Sequence, residues 1–125
     1  MASVQPELWV HKTGTAVQFS IAAFGAKVLL LAGTGKDGLA QLDVDGAVFW
    51  VAAADPNRHR LSPPAAGGTT GRTLLVVDDP DEFQARAVAA GATQTSAVTE
   101  EHAWRVGRVV DPFGHEWEIG RHLGG

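Results

Sequence analysis

The chain has no cysteine in its 125 residues. That excludes a disulfide scaffold, a thiol nucleophile and a cysteine-bound zinc. Basic residues are also scarce. Ten Lys and Arg against fourteen Asp and Glu give a formal charge of -4 with no basic run, so the electrostatic footprint of a nucleic-acid binder is missing. No apolar stretch approaches the roughly 18 residues that a membrane-crossing helix needs. The opening "MASVQPELWVHK" lacks the basic-then-apolar order of a signal peptide, so a cytoplasmic protein is the expectation. The length suits one domain, 1–125, that buries roughly two-thirds of its extended surface, and is too short for two ordinary ones.

What is there is a pattern stated twice. "ELWVH" reads as a strand, and "TGTAVQFSIAAFG" sets Val17, Phe19 or Ile21, and Phe24 at helical spacing before Gly25 stops the helix. "AKVLLLAG", "GLAQLDVDG" and "AVFWVAA" follow as three strands separated by Gly and Asp turns, with "VDG" a hairpin signal because Asp-Gly readily supplies positive φ. Residues 55–71, "DPNRHRLSPPAAGGTTG", suit a connection or pocket lid. Then "RTLLVV" is a strand, and Asp78 or Asp79 caps a helix with Pro80 in its first turn and Phe83, Ala87 and Ala90 on its buried stripe. "ATQTSAVTE", "AWRVGRVVD" and "HEWEIGRH" are three more strands. Gly25 and Gly91 each close a helix and precede an Ala that opens a strand. The reading is an α+β fold of two βαβββ modules, about 5–54 and 72–122, whose curved sheets pair around a concave pocket with the helices on the outer faces.

Three segments carry a resemblance to a known family. "AFGAKV", "VVDDPDEF" and above all "GRVVDPFGHEWEIG" resemble the vicinal oxygen chelate superfamily of glyoxalases, extradiol dioxygenases and bleomycin-resistance proteins, in its PhnB-like branch. The last segment also has its own physical reading. Asp111-Pro112-Phe113-Gly114 makes a turn, and the alternation after it sends His115, Trp117 and Ile119 to one face and Glu116 and Glu118 to the other.

The resemblance implies four metal-ligand positions, two in each module. Gln5 falls on the first and Glu118 on the last, where a divalent ion would keep open sites to polarise substrate oxygens. The other two fail. "AVFWVAA" offers no Asp, Glu, His or Gln on either face, and near Gly71 the matching residue is Arg72, a fixed cation. No cofactor is favoured. If a divalent metal binds, Gln5 and Glu118 hold it with help from His102, His115 or a partner chain. An Arg72–Glu118 pair in place of the ion is the expected alternative.

His11, His59, His102, His115 and His122 show no HxH or HExxH spacing and read as solvated or structurally bonded imidazoles, with His102 a candidate proton donor at a pocket rim. Four tryptophans without any tyrosine favour flat apolar contact: Trp104 for stacking, Trp50 on an undetermined face, Trp117 for packing against a helix, and Trp9 in the first strand. Arg72, Arg105 and Arg108 are candidate anchors for an anionic or carbonyl-bearing ligand.

Three functions fit these residues. The leading one is metal-independent binding or sequestration of a small aromatic or planar molecule, an antibiotic among the candidates, through Trp50, Arg72, Trp104, Arg108 and Glu118. The second is a glyoxalase-like metal-dependent lyase, isomerase or dioxygenase. The third is a metal-free acid–base enzyme using Glu118 or His102. The resemblance and the short sheet edges both imply a homodimer, with domain exchange open.

Overall fold

The computed structural model describes residues 1–33 and 38–124 and holds two four-stranded sheets. The first module runs β1 (Glu7–Val10), α1 (Thr13–Phe24), β2 (Lys27–Ala32), β3 (Leu39–Val44) and β4 (Ala47–Ala53). The second runs β5 (Thr73–Val76), α3 (Pro80–Ala89), β6 (Thr93–Glu101), β7 (Trp104–Val110) and β8 (Glu116–His122). Sheet orders β1-β4-β3-β2 and β5-β8-β7-β6 are the same topology twice, each with its first strand parallel to its last. The turn between β2 and β3 lies outside the described residues. The connection is not a bare loop: it contains a 3-10 turn (Pro56–Arg58) and the short helix α2 (Pro63–Ala66).

Local chemistry explains the element ends. Gly25 takes φ 66, its N–H donates to the Ile21 carbonyl and the next amide, of Ala26, to that of Ser20, so α1 stops where a side chain would be strained. The Asp79 carboxylate accepts from the Glu82 amide and caps α3, with Pro80 following in the first turn. Asp45 and Gly46, both at positive φ, form the β3–β4 turn, and Asp43 accepts from the Gly46 amide.

Alternation then divides each sheet. In β3, Ala40, Leu42 and Val44 are buried while Leu39, Gln41 and Asp43 are half-buried. In β8, Trp117 and Ile119 are buried while Glu116 and Glu118 lie on the other face. α1 covers the apolar face of the first sheet, α3 that of the second, and the helices touch each other through the Arg86 guanidinium and the Ala22 carbonyl. One core therefore spans both modules: Phe24 of α1 and Phe49 of β4 lie 5.0 and 5.3 Å from the Trp117 ring. Burying each such side chain contributes about 1.5–3 kcal/mol, which neither module could collect alone.

The turn at 111–114 locks that junction. Asp111 Oδ1 accepts from the Phe113 and His115 amides and Oδ2 from the Trp117 indole, at 2.9, 2.9 and 3.1 Å. Burial pushes the Asp111 carboxyl up, and bonds from Trp117 and His115 pull it back. Because its folded pKa is raised, Asp111 favours the fold most at low pH and loses that contribution as pH rises through the folded pKa. The three N–H partners offset the cost of burying the charge. His115 Nε2 lies 2.8 Å from the Trp9 carbonyl, tying the turn to β1.

The buried stripe of α3 differs from the expected one. Pro80, Gln84 and Ala87 are buried, and Phe83 and Ala90 are only half-buried against the core. Gln84 takes the inward position with its amide nitrogen partnered, Nε2 donating to Gln94 Oε1 and to the Ser96 carbonyl, while its Oε1 is buried without a partner among the described residues. Room for it comes from Gly107 in β7, where a β-carbon would collide with the Gln84 side-chain amide. In α1, Val17, Phe19 and Phe24 are buried and Ile21 is 39% exposed.

Gly107→Ala is therefore expected to cost about 1–3 kcal/mol in urea unfolding, because the amide must leave its bonds or the sheet must shift. In a Gln84→Ala background the same change should cost much less. Equal costs in the two backgrounds would contradict this packing.

Candidate functional site

The uncovered face of the second sheet gathers the charged side chains. β7 and β8 pair Arg108 with Glu118, Val106 with Gly120 and Trp104 with His122, so all of these except the glycine point away from α3. Arg108 Nε donates to Glu118 Oε2 at 2.9 Å, and its Nη2 donates to Glu101 Oε1. Arg72, just before β5, places its Nε 3.4 Å from Glu118 Oε1. The Arg72–Glu118 pair expected from the sequence is present, and a second guanidinium joins it. Around it, Leu74, Glu101, His102, Trp104, Val106, Arg108 and Glu118 line a hollow of about 290 Å3. The Trp104 ring stands edge-on to His122 at 5.3 Å.

Glu101 is the residue that sequence reasoning missed. It ends β6, and the His102-Ala103 turn that follows has φ of 50 and 66, so Glu101 and Trp104 become cross-strand partners on the Arg108 side. A two-residue turn usually announces itself as Asn-Gly or Asp-Gly, and His-Ala carries no such signal. The Arg108 hydrogen bond holds the Glu101 carboxyl below the ordinary glutamate range. Bonds from Glu101 and then Glu118 raise the Arg108 guanidinium in turn.

Not every anchor named from the sequence is here. Arg105 lies on the opposite face, where Nε and Nη2 grip the two Asp81 oxygens of α3 at 2.7 and 2.6 Å. Trp117 is 2% exposed in the core. Trp50 and Gln5 sit together on the uncovered face of the first sheet, where the Trp50 indole donates to Gln5 Oε1 at 2.8 Å and Gln41 Nε2 lies 3.4 Å from the same oxygen. Trp50 lines a separate hollow of about 390 Å3 with Glu7, Leu39, Asp55, Arg58 and Arg60. His115 faces the connection with Glu116, which accepts from the Thr69 hydroxyl.

The donor set does not fit a divalent ion at the family position. Glu118 is held by two fixed cations, and Gln5 Oε1 is already an acceptor for two N–H donors. The outward residues of β4 are Val48, Trp50 and Ala52, which are no ligands. Among the described residues, no three His, Asp or Glu side chains are grouped to hold a metal.

Residues 7–120 match the family model described as a glyoxalase-like domain. A protein of Mycobacterium bovis is 35% identical over 127 aligned positions, covering 95% of this chain and 82% of that protein. The crystal structure of TioX from a Micromonospora species superposes with a TM-score of 0.74 at 31% identity, covering 98% of this chain and all of that one. The fosfomycin resistance protein FosX of Listeria monocytogenes, solved with Mn(II) and a dihydroxypropylphosphonic acid, has the same fold, with a TM-score of 0.73 at 16% identity and coverage of 100% and 92%.

The Arg108–Glu101 pair carries a pH signature. With its folded pKa depressed, Glu101 contributes stability above its unfolded pKa and loses it as pH falls through the folded value. The melting-temperature gap between wild type and Glu101→Gln should therefore persist above the ordinary glutamate pKa of about 4.3 and close as pH falls below it. A gap that stays constant would show that the pair's charge contributes nothing.

Proposed function

Because the chain belongs to the glyoxalase-like family of the vicinal oxygen chelate superfamily, which fixes a scaffold and leaves the chemistry open, we propose that this member holds a small planar or aromatic molecule without a metal. The observation that carries this reading is the double guanidinium grip on Glu118. A carboxylate shared between Arg72 and Arg108 is occupied as a ligand and as a base, while Leu74, Val106 and Trp104 beside it offer an apolar, flat surface. A resistance role by sequestration is one biological use of such holding.

The reading includes a second copy of the chain. Trp50 on the first sheet and Trp104 on the second line different hollows within one chain, and pairing the uncovered sheet face of one copy with that of another would bring them to one pocket. Exposed apolar groups support self-association: Leu74 and Val76 on the second sheet are 44% and 58% exposed, and Leu29 and Leu31 on the edge strand β2 are 54% and 65% exposed.

Calorimetry on chelator-treated protein with 2-naphthylmethanol, a neutral planar probe, checks this function. Binding is expected without metal, weakened about tenfold by Trp104→Ala, as loss of one well-packed aromatic contact implies. Sedimentation should give a dimer. One tightly bound zinc, manganese or iron per chain, lost in Glu118→Ala, would overturn the proposal in favour of metal-dependent catalysis.

A further inference from the structure

The charge cluster also indicates what kind of planar molecule the hollow takes, an inference that rests on the binding function above. Two guanidiniums, Arg72 and Arg108, face two carboxylates, Glu101 and Glu118, so the cluster is already balanced. A charged ligand can enter only by replacing one member of like sign, and the four are not equally replaceable.

Glu118 has two cationic partners and a side chain only 20% exposed on β8. Arg108 has two anionic partners and is 24% exposed. Removing either breaks two charge pairs at once, and these two side chains are the least exposed of the four. Arg72 is freer, and its departure would free Glu118 Oε1, but Arg108 stays on Oε2 and keeps the carboxylate half-neutralised against an incoming cation. Arg72 moreover lines the hollow beside the connection and not the one beside Trp104.

Glu101 is different. Its side chain is 37% exposed, Arg108 is its hydrogen-bond partner, and it stands at the mouth of a hairpin whose turn is formed by two non-glycine residues at positive φ. Returning it to water costs little, since an exposed ion pair contributes little. Its departure uncovers the Nη edge of a guanidinium that stays fixed from behind by Glu118. A guanidinium held in this way is well shaped for a planar carboxylate, which can accept two parallel N–H bonds.

We propose that the hollow takes a planar aromatic carboxylate, its carboxylate replacing Glu101 on Arg108 and its ring lying against Trp104, Leu74 and Val106. Glu101 is then an internal competitor that keeps the site closed to weak anions. Cluster charge is conserved in the exchange: one carboxylate leaves the guanidinium and another arrives.

The sign of one substitution tests this. In calorimetry, 2-naphthoate is expected to bind at least about tenfold tighter than 2-naphthylmethanol or 2-naphthylmethylammonium, the margin of a charge-assisted bidentate contact. Glu101→Gln should tighten naphthoate by about threefold or more relative to the alcohol, since the competing charge is gone. Arg108→Gln should abolish the preference for naphthoate. Should that variant unfold, the Glu101→Gln result stands alone as the test. Equal binding of the three probes, preference for the ammonium, or weaker naphthoate binding in Glu101→Gln would each overturn the carboxylate assignment while leaving planar-molecule binding intact. Failure of all three probes to bind would overturn both.

Discussion

The buried Asp111 carboxylate is the constraint on which both fold and site depend. Its two oxygens collect the Phe113 and His115 amides and the Trp117 indole, which fixes the turn, the start of β8 and the inward direction of Trp117 in one stroke. From there the consequences run two ways. Inward, Trp117 meets Phe24 and Phe49 of the first module and joins two half-cores into one. Outward, the register that starts at Val110 and Glu116 sets Arg108 opposite Glu118. One buried charge, costly alone and offset by three donors, thus positions the apolar junction and the ionic cluster on opposite faces of the same strand.

That division of labour lets the outward face of β8 vary while its inward face keeps the core. The alternation of β8 guarantees that a residue one place from a core anchor points outward, whatever its partner there. In this chain the outward carboxylate meets guanidiniums from β7 and from the segment before β5. The backbone positions of the family remain, but their electrostatics now favour a neutral, pre-paired surface beside Trp104. Electrostatic pairing of this kind does not strongly stabilise a fold, since half-exposed ion pairs contribute little.

Much of this was legible in the sequence, for reasons that differ by residue. The repeated order of elements, the Asp45-Gly46 hairpin, the turn at 111–114 and the inward Trp117 all follow from short-range periodicity and turn chemistry, which act within a few residues. The Arg72–Glu118 pair followed from family positions. Arg105 was legible in principle: it lies three residues from Arg108 on one strand, so a period of two puts them on opposite faces. Other features depend on distant chain. Gln84 displaces Phe83 from the stripe of α3 because Gly107 leaves room and Ser96 supplies an acceptor, and neither is local to the helix. Trp50 and Trp104 fall in separate hollows because the placement of one module against the other is set by the shared core, which strand patterns do not encode.

A planar molecule held against the uncovered face of the second sheet without a metal must touch Trp104 and leave the core undisturbed. The most direct measurement follows the four tryptophan indole N–H resonances by NMR in chelator-containing buffer as 2-naphthoate is added. The Trp104 resonance is expected to shift with saturation while that of Trp117, sealed in the core on Asp111, stays in place. A response at Trp117 with none at Trp104, or responses that require an added divalent ion, would contradict it.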